Sequence, residues 1–270
     1  MPFISTVIGF VGASLLFIFA ITSSTDSYSM FLSPSSFLLV LGGTLAASII
    51  SFNLFDVLKA LGAIFKTLSN DKDTNQVLNK DVKKIIDWSK VYRKKGLGSW
   101  IDSLSSKDQK DKFLNYCFEM VQTGYEQEEL RYLISARIEA DFTRKAQPAK
   151  ILQTMASYAP GFGMVGTIIG LIIMLDTMGG DISALGKGLA LALITTLYGV
   201  LLGQLVFKPC ATHLFNKVEG EYFRHQIILE GIICILQKRD SIAIQDHINA
   251  LLRPKAYYQL SNEKEGKSDK

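Results

Sequence analysis

Three hydroxyls, Thr167, Thr195 and Thr196, stand in stretches without a charged side chain, Ile151 to Leu175 and Gly188 to Phe207. Hydroxyl oxygens suit a hard cation that has shed part of its water, above all beside a carbonyl freed by a helix kink. Threonine in such a helix also bonds the carbonyl one turn back, or packs on a neighbour. Spacing leaves both uses open. A missing group decides more. Asp, Glu, Lys, Arg and His are absent from both stretches and from two further uncharged runs, Met1 to Thr25 and Tyr28 to Phe55. A protein that binds and releases protons within a bilayer ordinarily uses an ionisable intramembrane group. If this chain conducts protons or sodium, a partner must supply the carboxylate.

The residues around the threonines are small. Ala159 to Leu171 holds Pro160, Gly163, Gly166 and Gly170, and a membrane helix rich in glycine gains by backbone contact with its neighbours. In the later stretch Ala192, Thr196, Gly199 and Gly203 step by four, three and four, which aligns them on one stripe. Pro160 leaves a carbonyl unpaired, tolerable in a packed interface or a wet path but not in lipid. Pro160 and Pro209 are thus either packing adjustments or hinges coupling the path to movement. Outside these stretches, Lys90, Arg93, Lys94 and Lys95 form a basic cluster followed by Asp102, Asp108 and Asp111. It reads as a solvated face or as a docking surface for an oppositely patterned partner. Cys117, Cys210 and Cys234, like His213, His225 and His247, lack the spacing of a disulfide framework or metal site, so no metal and no enzyme chemistry is expected.

The elements that must hold these residues follow from charge segregation. The chain has 270 residues and 29 Lys and Arg, all of which except Lys187 lie between positions 56 and 150 or from 208 onward. Each uncharged run reaches the ~20 residues that cross a hydrocarbon core. The expected fold is an all-α integral membrane protein with four transmembrane helices, a large helical cytoplasmic loop and a cytoplasmic C-terminal tail. Its divisions are 1–55 (spans one and two), 56–150 (loop), 151–210 (spans three and four) and 211–270 (helix and disordered tail). The turns near Asp26 and between Asp176 and Lys187 are poor in Lys and Arg and face outward, so both termini are cytoplasmic. Close-packing patches are expected at Gly9, Gly12 and Ala13 in span one and at Gly42, Gly43, Ala46, Ala47 and Ser48 in span two. Loop helices are expected over Asp81–Arg93, ending at Gly96 and Gly98, then around Phe113–Val121, closed by Gly124, and over Glu128–Lys145. Acids interleave the bases, so nucleic acid is not an expected partner.

The runs A-P-G-F-G-M-V-G-T-I-I-G-L at 159–171, L-G-K-G-L-A-L-A-L-I-T-T-L-Y-G-V-L-L at 185–202 and F-K-P at 207–209 resemble the A-subunit of the bacterial flagellar stator. This is the MotA/PomA type within the MotA/TolQ/ExbB superfamily. The resemblance implies a homopentamer in the bacterial inner membrane around two copies of a single-span B-subunit, which brings an ion-binding aspartate and a peptidoglycan-binding domain. It implies no cofactor besides the transported sodium or proton, with sodium favoured by the paired Thr195-Thr196. By position it makes Thr167, Thr195 and Thr196 ion-path hydroxyls and Pro160 and Pro209 the coupling prolines. Arg93 falls on the arginine that meets a rotor switch-complex protein. The acidic half of that contact would fall on Ile101, so Lys90, Lys94 or Asp102 share the role. Alternatives are an ExbB- or TolQ-like energiser of an outer-membrane system and, further off, a four-helix carrier or membrane enzyme.

Overall fold

In the computed structural model, residues 2–25, 28–67, 74–105, 108, 110–176, 182–252, 254 and 257–259 are described. Asp26, the turn after Asp176 and the tail expected to be disordered, from 260 on, lie outside them. Helices α1 (Pro2–Ser24), α2 (Pro34–Ser51), α3 (Leu54–Thr67), α4 (Thr74–Asp102) and α5 (Lys112–Gln122) come first. Then follow α6 (Gln127–Asp176), α7 (Ile182–Leu201), a π turn over Leu202–Phe207, α8 (Lys208–Leu236) and α9 (Ser241–Leu251). No strand occurs among the described residues. Among the described residues, three helical stretches are long and apolar enough to cross a membrane: Pro34–Ser51, a window within Gln127–Asp176 and one within Leu185–Leu236. Ile8–Ser24 is a shorter apolar helix. The chain divides into two compact units, residues 1–71 with 145–218, and 72–144 with 219–270.

In the first unit, α2 starts with Ser33 as N-cap and Pro34 behind it, and buries Ser36, Val40, Thr44 and Ser48. These positions are four apart, one face of a helix. Thr44 and Ser48 donate their hydroxyls to the carbonyls of Val40 (2.6 Å) and Thr44 (2.7 Å), so small polar side chains pack there without stranding a donor. Gly43 receives the Phe162 ring, whereas a Cβ on Gly42, like one on Gly9 or Gly12 of α1, would have no described residue within 4 Å. Beyond α2, Val57 and Ala60 of α3 join Ile151, Leu152, Met155, Ala156 and Ala159 of α6 in one apolar cluster with Phe207 and Ala211. Large apolar side chains of this unit are exposed, Leu16 and Leu38 at 72% and Ile50 at 87%, the pattern of a surface whose solvent is not water.

The second unit has a water-protein interior. Helix α4 does not end at Gly96 but bends there: Gly96 takes φ +79°, a conformation side chains other than glycine's rarely adopt, and the helix resumes to Asp102. The bend returns Trp100 onto Phe118 (ring centroids 5.4 Å), Tyr92 (5.5 Å) and Trp88 (6.4 Å). Asp111 caps α5 by accepting from Phe113 and Leu114 N–H, and Gly124, φ +79°, follows its end. As expected, Leu130, Ile134 and Ile138 of α6 are buried, with Leu133 and Phe142 half-buried, against Ile227, Ile228 and Ile232 of α8. Ion pairs of long sequence separation join these helices. Arg224 reaches Asp81 (2.6 Å) and Asp111 (3.1 Å), Arg131 forks onto Glu230, and His247 Nε2 lies 3.1 Å from the same carboxylate.

Burial pushes the Glu230 carboxyl upward, but hydrogen bonds from Arg131 and His247 outweigh it and leave its pKa below the usual range. Asp108, desolvated yet held by Lys84 and Ser105, is likewise depressed. Such groups stabilise the fold above the ordinary carboxylate pKa of about 4, and the stabilisation fades as pH falls through their lower folded values. Melting followed by circular dichroism should therefore show Tm falling between about pH 5 and pH 3. Glu230→Gln should cost about 1–3 kcal/mol at pH 7 and flatten that acid limb. A mutant limb as steep as the wild type's would remove Glu230 from the account.

Candidate functional site

The threonines and glycines lie where α6 and α7 cross with only short side chains between them. A Cβ placed on Gly199 would stand 2.6 Å from Ala159 O and 3.0 Å from Gly163 Cα; one on Gly163 would stand 3.0 Å from Thr195 O. On Gly166 it would meet Thr195 Cγ2 and Oγ1 at 2.6 Å, and on Gly170 the Ala192 nitrogen at 2.6 Å. Gly163, Gly166, Gly170, Gly199 and Gly203 thus form one seam. Gly188, which the sequence reading did not single out, extends it: its Cβ would lie 2.9 Å from both Gly170 O and Met174 N.

The close approach brings the hydroxyls together. Thr167 Oγ1 and Thr196 Oγ1 hydrogen-bond across the seam, and Thr167 also donates within reach of Gly163 O (3.2 Å) and Ala192 O (3.1 Å). Thr196 Oγ1 lies 3.4 Å from Ala192 O and 3.5 Å from Gly163 O. A hydroxyl has one proton and two lone pairs, so this pair shares few donors among several acceptors and keeps oxygen lone pairs free. Thr195 differs. It is fully buried and turned back on its own helix, toward Leu191 O (3.0 Å) and Ala192 O (2.9 Å).

Both prolines sit where the helices deviate or meet. Proline has no N–H for the carbonyl four residues back, so Pro160 frees Ala156 O. That oxygen would lie 2.8 Å from a Cβ on Gly203, and the Pro160 ring carbons 3.1 and 3.2 Å from it. Gly203 therefore accommodates both the freed carbonyl and the ring. Pro209 follows the π turn, in which Lys208 N–H donates to Gly203 O, five residues back. The wider turn gives room to the Leu205 carbonyl that a proline ring at 209 would otherwise crowd.

Two tyrosines missed in the sequence fasten α2 to this pair. Tyr198 OH donates to Phe31 O (2.5 Å) and accepts from Ser33 N–H (3.0 Å), while its ring meets Phe37 edge-on at 5.9 Å. At the other end of α2, Ser51 Oγ lies 2.9 Å from Tyr158 OH. The available signal was a phenol in an apolar span, since a buried hydroxyl requires a partner.

In the second unit Lys90, Lys94 and Asp102 line one cleft of about 500 Å³ with Val91, Lys95, Ser99 and Ser103. Arg93 is exposed on the same helix but is not among its walls. Lys90 also pairs with Asp87 at 3.6 Å, both largely exposed.

Residues 105–226 match the model of the MotA/TolQ/ExbB proton channel family. The chain is 34% identical over 230 residues to the uncharacterized protein YtxD of Bacillus subtilis, covering 84% of this chain and 82% of that one. To motility protein A of Aquifex aeolicus it is 31% identical over 230 residues, covering 85% and 88%. Its fold is that of the flagellar MotAB stator complex from Bacillus subtilis, with TM-score 0.81 and 24% identity over 92% of this chain and 96% of that one.

The seam makes a test at one glycine informative. Gly199→Ala must displace the Ala159 carbonyl or the helix, and should cost about 1–3 kcal/mol. Gly12→Ala, where an added Cβ has no described residue within 4 Å, serves as the comparison. Thermal unfolding of the detergent-solubilised protein should show a lower Tm for the first than the second, and equal values would mean the helices do not touch at Gly199.

Proposed function

Because the chain belongs to the MotA/TolQ/ExbB family, among its motility protein A members, we propose that it is the ion-conducting A-subunit of a flagellar stator in the bacterial inner membrane. Thr167 and Thr196 then form part of the wall of a cation path, Pro160 and Pro209 couple that path to movement, and the transported ion is sodium or a proton. The observation that carries the reading is the crossing itself. Two glycine-lined helices hold paired hydroxyls in a region without an ionisable group, which suits a channel whose titratable residue belongs to another chain.

In this assignment four spans, α1, α2, the later part of α6 and α7, cross the membrane with both termini on the cytoplasmic side. The family fold and the bias of Lys and Arg support it. A single-span B-subunit brings the aspartate and a peptidoglycan anchor, and copies of this chain, five by the family pattern, surround it. Thr195, turned onto its own backbone, holds Gly166 at close range, and the path itself uses Thr167 and Thr196. The second unit meets the rotor through Arg93 and the cleft of Lys90, Lys94 and Asp102. Sodium is favoured by the resemblance that the adjacent Thr195-Thr196 pair carries to the sodium-driven branch.

Thr196→Ala should reduce ion-driven swimming at least about tenfold without loss of the protein from the membrane, the scale of one lost transition-zone hydrogen bond. Unchanged speed across sodium concentrations would exclude Thr196 from the path. For the rotor contact, Arg93→Glu should lower stall torque in a tethered-cell assay while membrane assembly persists, whereas full torque would leave the basic cluster a solvated face.

A further inference from the structure

Two carboxamides in the uncharged stretches make no side-chain hydrogen bond among the described residues. Gln204 is exposed in the uncharged stretch Gly188 to Phe207, and Gln153 is exposed near the start of Ile151 to Leu175. Neither side chain hydrogen-bonds to any described residue, although hydroxyls nearby in α6 do: Thr154 bonds Lys150 O (3.0 Å) and Ser157 bonds Thr154 O (2.9 Å). An unpaired amide facing lipid costs several kcal/mol per group, so each needs water, an ion or another chain.

Their register relates them to the threonines. Gln153, Pro160 and Thr167 are seven apart, and an α-helix drifts only about 20° per seven residues, so they share one face of α6. On α7 the π turn performs the equivalent alignment. Twelve ordinary steps would put Lys208 about 120° from Thr196, but a π turn absorbs one residue and brings it to about 20°. Gln204, eight residues after Thr196, would stand about 80° from it in an ordinary helix, and the part of the π turn that precedes it narrows that angle. Along the axes Gln204 stands about 12 Å from Thr196, and Gln153 about 21 Å from Thr167, both on the side of Lys150 and Lys208. Gly203 against Ala156 fixes the two helices' relative level.

We infer that Gln204 and then Gln153 continue the oxygen line of Thr167 and Thr196, as polar stations by which the cation leaves toward the Lys150 and Lys208 end. Their amide oxygens replace part of the ion's water, as hydroxyls do higher up, and remain neutral at every pH. The inference rests on the ion-path reading and adds the exit to it. The π turn thereby acquires a purpose besides relieving Pro209: it aims Gln204.

The test uses cells carrying the chain with its B-subunit, with swimming speed measured against external sodium at fixed pH and against pH at fixed sodium. Gln204→Leu, alone and with Gln153→Leu, should raise the motive-ion concentration for half-maximal speed about threefold or more at unchanged membrane abundance, whereas Gln204→Asn should stay within about twofold of wild type. If both leucine variants superimpose on wild type while Thr196→Ala loses swimming, the amides are interfacial only and the inference fails. If Thr196→Ala swims normally as well, the path reading falls first and takes the exit with it. A uniform loss of membrane abundance in Gln204→Leu that Gln204→Asn shares would mean a packing role and overturn the inference.

Discussion

Contact between the backbones of α6 and α7 is the constraint on which the first unit depends. In hydrocarbon there is no aqueous penalty to drive apolar side chains together, so two helices associate through van der Waals contact and whatever polar contacts proximity allows. Glycine at 163, 166, 170, 188, 199 and 203 removes the side chains that would hold the axes apart. Only at that separation do Thr167 and Thr196, short hydroxyls on different helices, reach each other and the carbonyls of Gly163 and Ala192. The same closeness makes Pro160 tolerable, because the carbonyl it frees is covered by Gly203 and not by lipid. Tyr198 and Tyr158 then hold α2 at both ends against the pair.

Much of this was legible because glycine spacing and helical period are properties of one segment. The seam residues named from spacing alone all meet a neighbour across α6 and α7. Spacing did not tell which small residues find a partner. Gly42 and Gly43 are adjacent in sequence, yet only Gly43 receives Phe162, since a helix turns neighbouring residues about 100° apart. Tyr198 was invisible as a clasp because its partners, Phe31 and Ser33, are distant in the chain. The π turn was invisible for another reason: proline announces a distortion but not whether the helix bends, stops or widens. Gly96 shows the same limit, since two nearby glycines read as an end while the chain used one of them to turn back and bury Trp100.

The second unit obeys different physics. Its surroundings reward apolar burial, and its amphipathic helices were readable from apolar period alone, down to Leu130, Ile134 and Ile138. The charges were not. Asp108 and Asp111 looked like part of a solvated run, but Asp108 is almost fully buried beside Lys84 and Asp111 both caps α5 and meets Arg224. A charge run gives no sign of which members lie beneath another helix. Burial of such a carboxylate is tolerable only because a cation and several donors come with it. Arg224, placed between Asp81 and Asp111, therefore fixes how α4, α5 and α8 meet more specifically than apolar contact does.

The two units divide their ionisable chemistry in a way that bears on the proposed motor. Among the described residues, the carboxylates with depressed pKa values stand in the second unit, each with a basic partner that keeps it charged across ordinary pH. The spans offer hydroxyls, amides and carbonyls, which coordinate but do not titrate. A wall of this kind presents the same electrostatic face whether a passing ion is bound or absent, because none of its groups changes charge. In the proposed assembly the change of charge then occurs at a single place, the partner's carboxylate. Helices that touch largely backbone to backbone, with only short side chains such as Thr195 and Thr196 between them, are suited to respond to it by a small slide of α7 along α6. That slide would exchange the hydrogen-bond partners of Thr196. Motion and coordination are thereby linked through the same glycines.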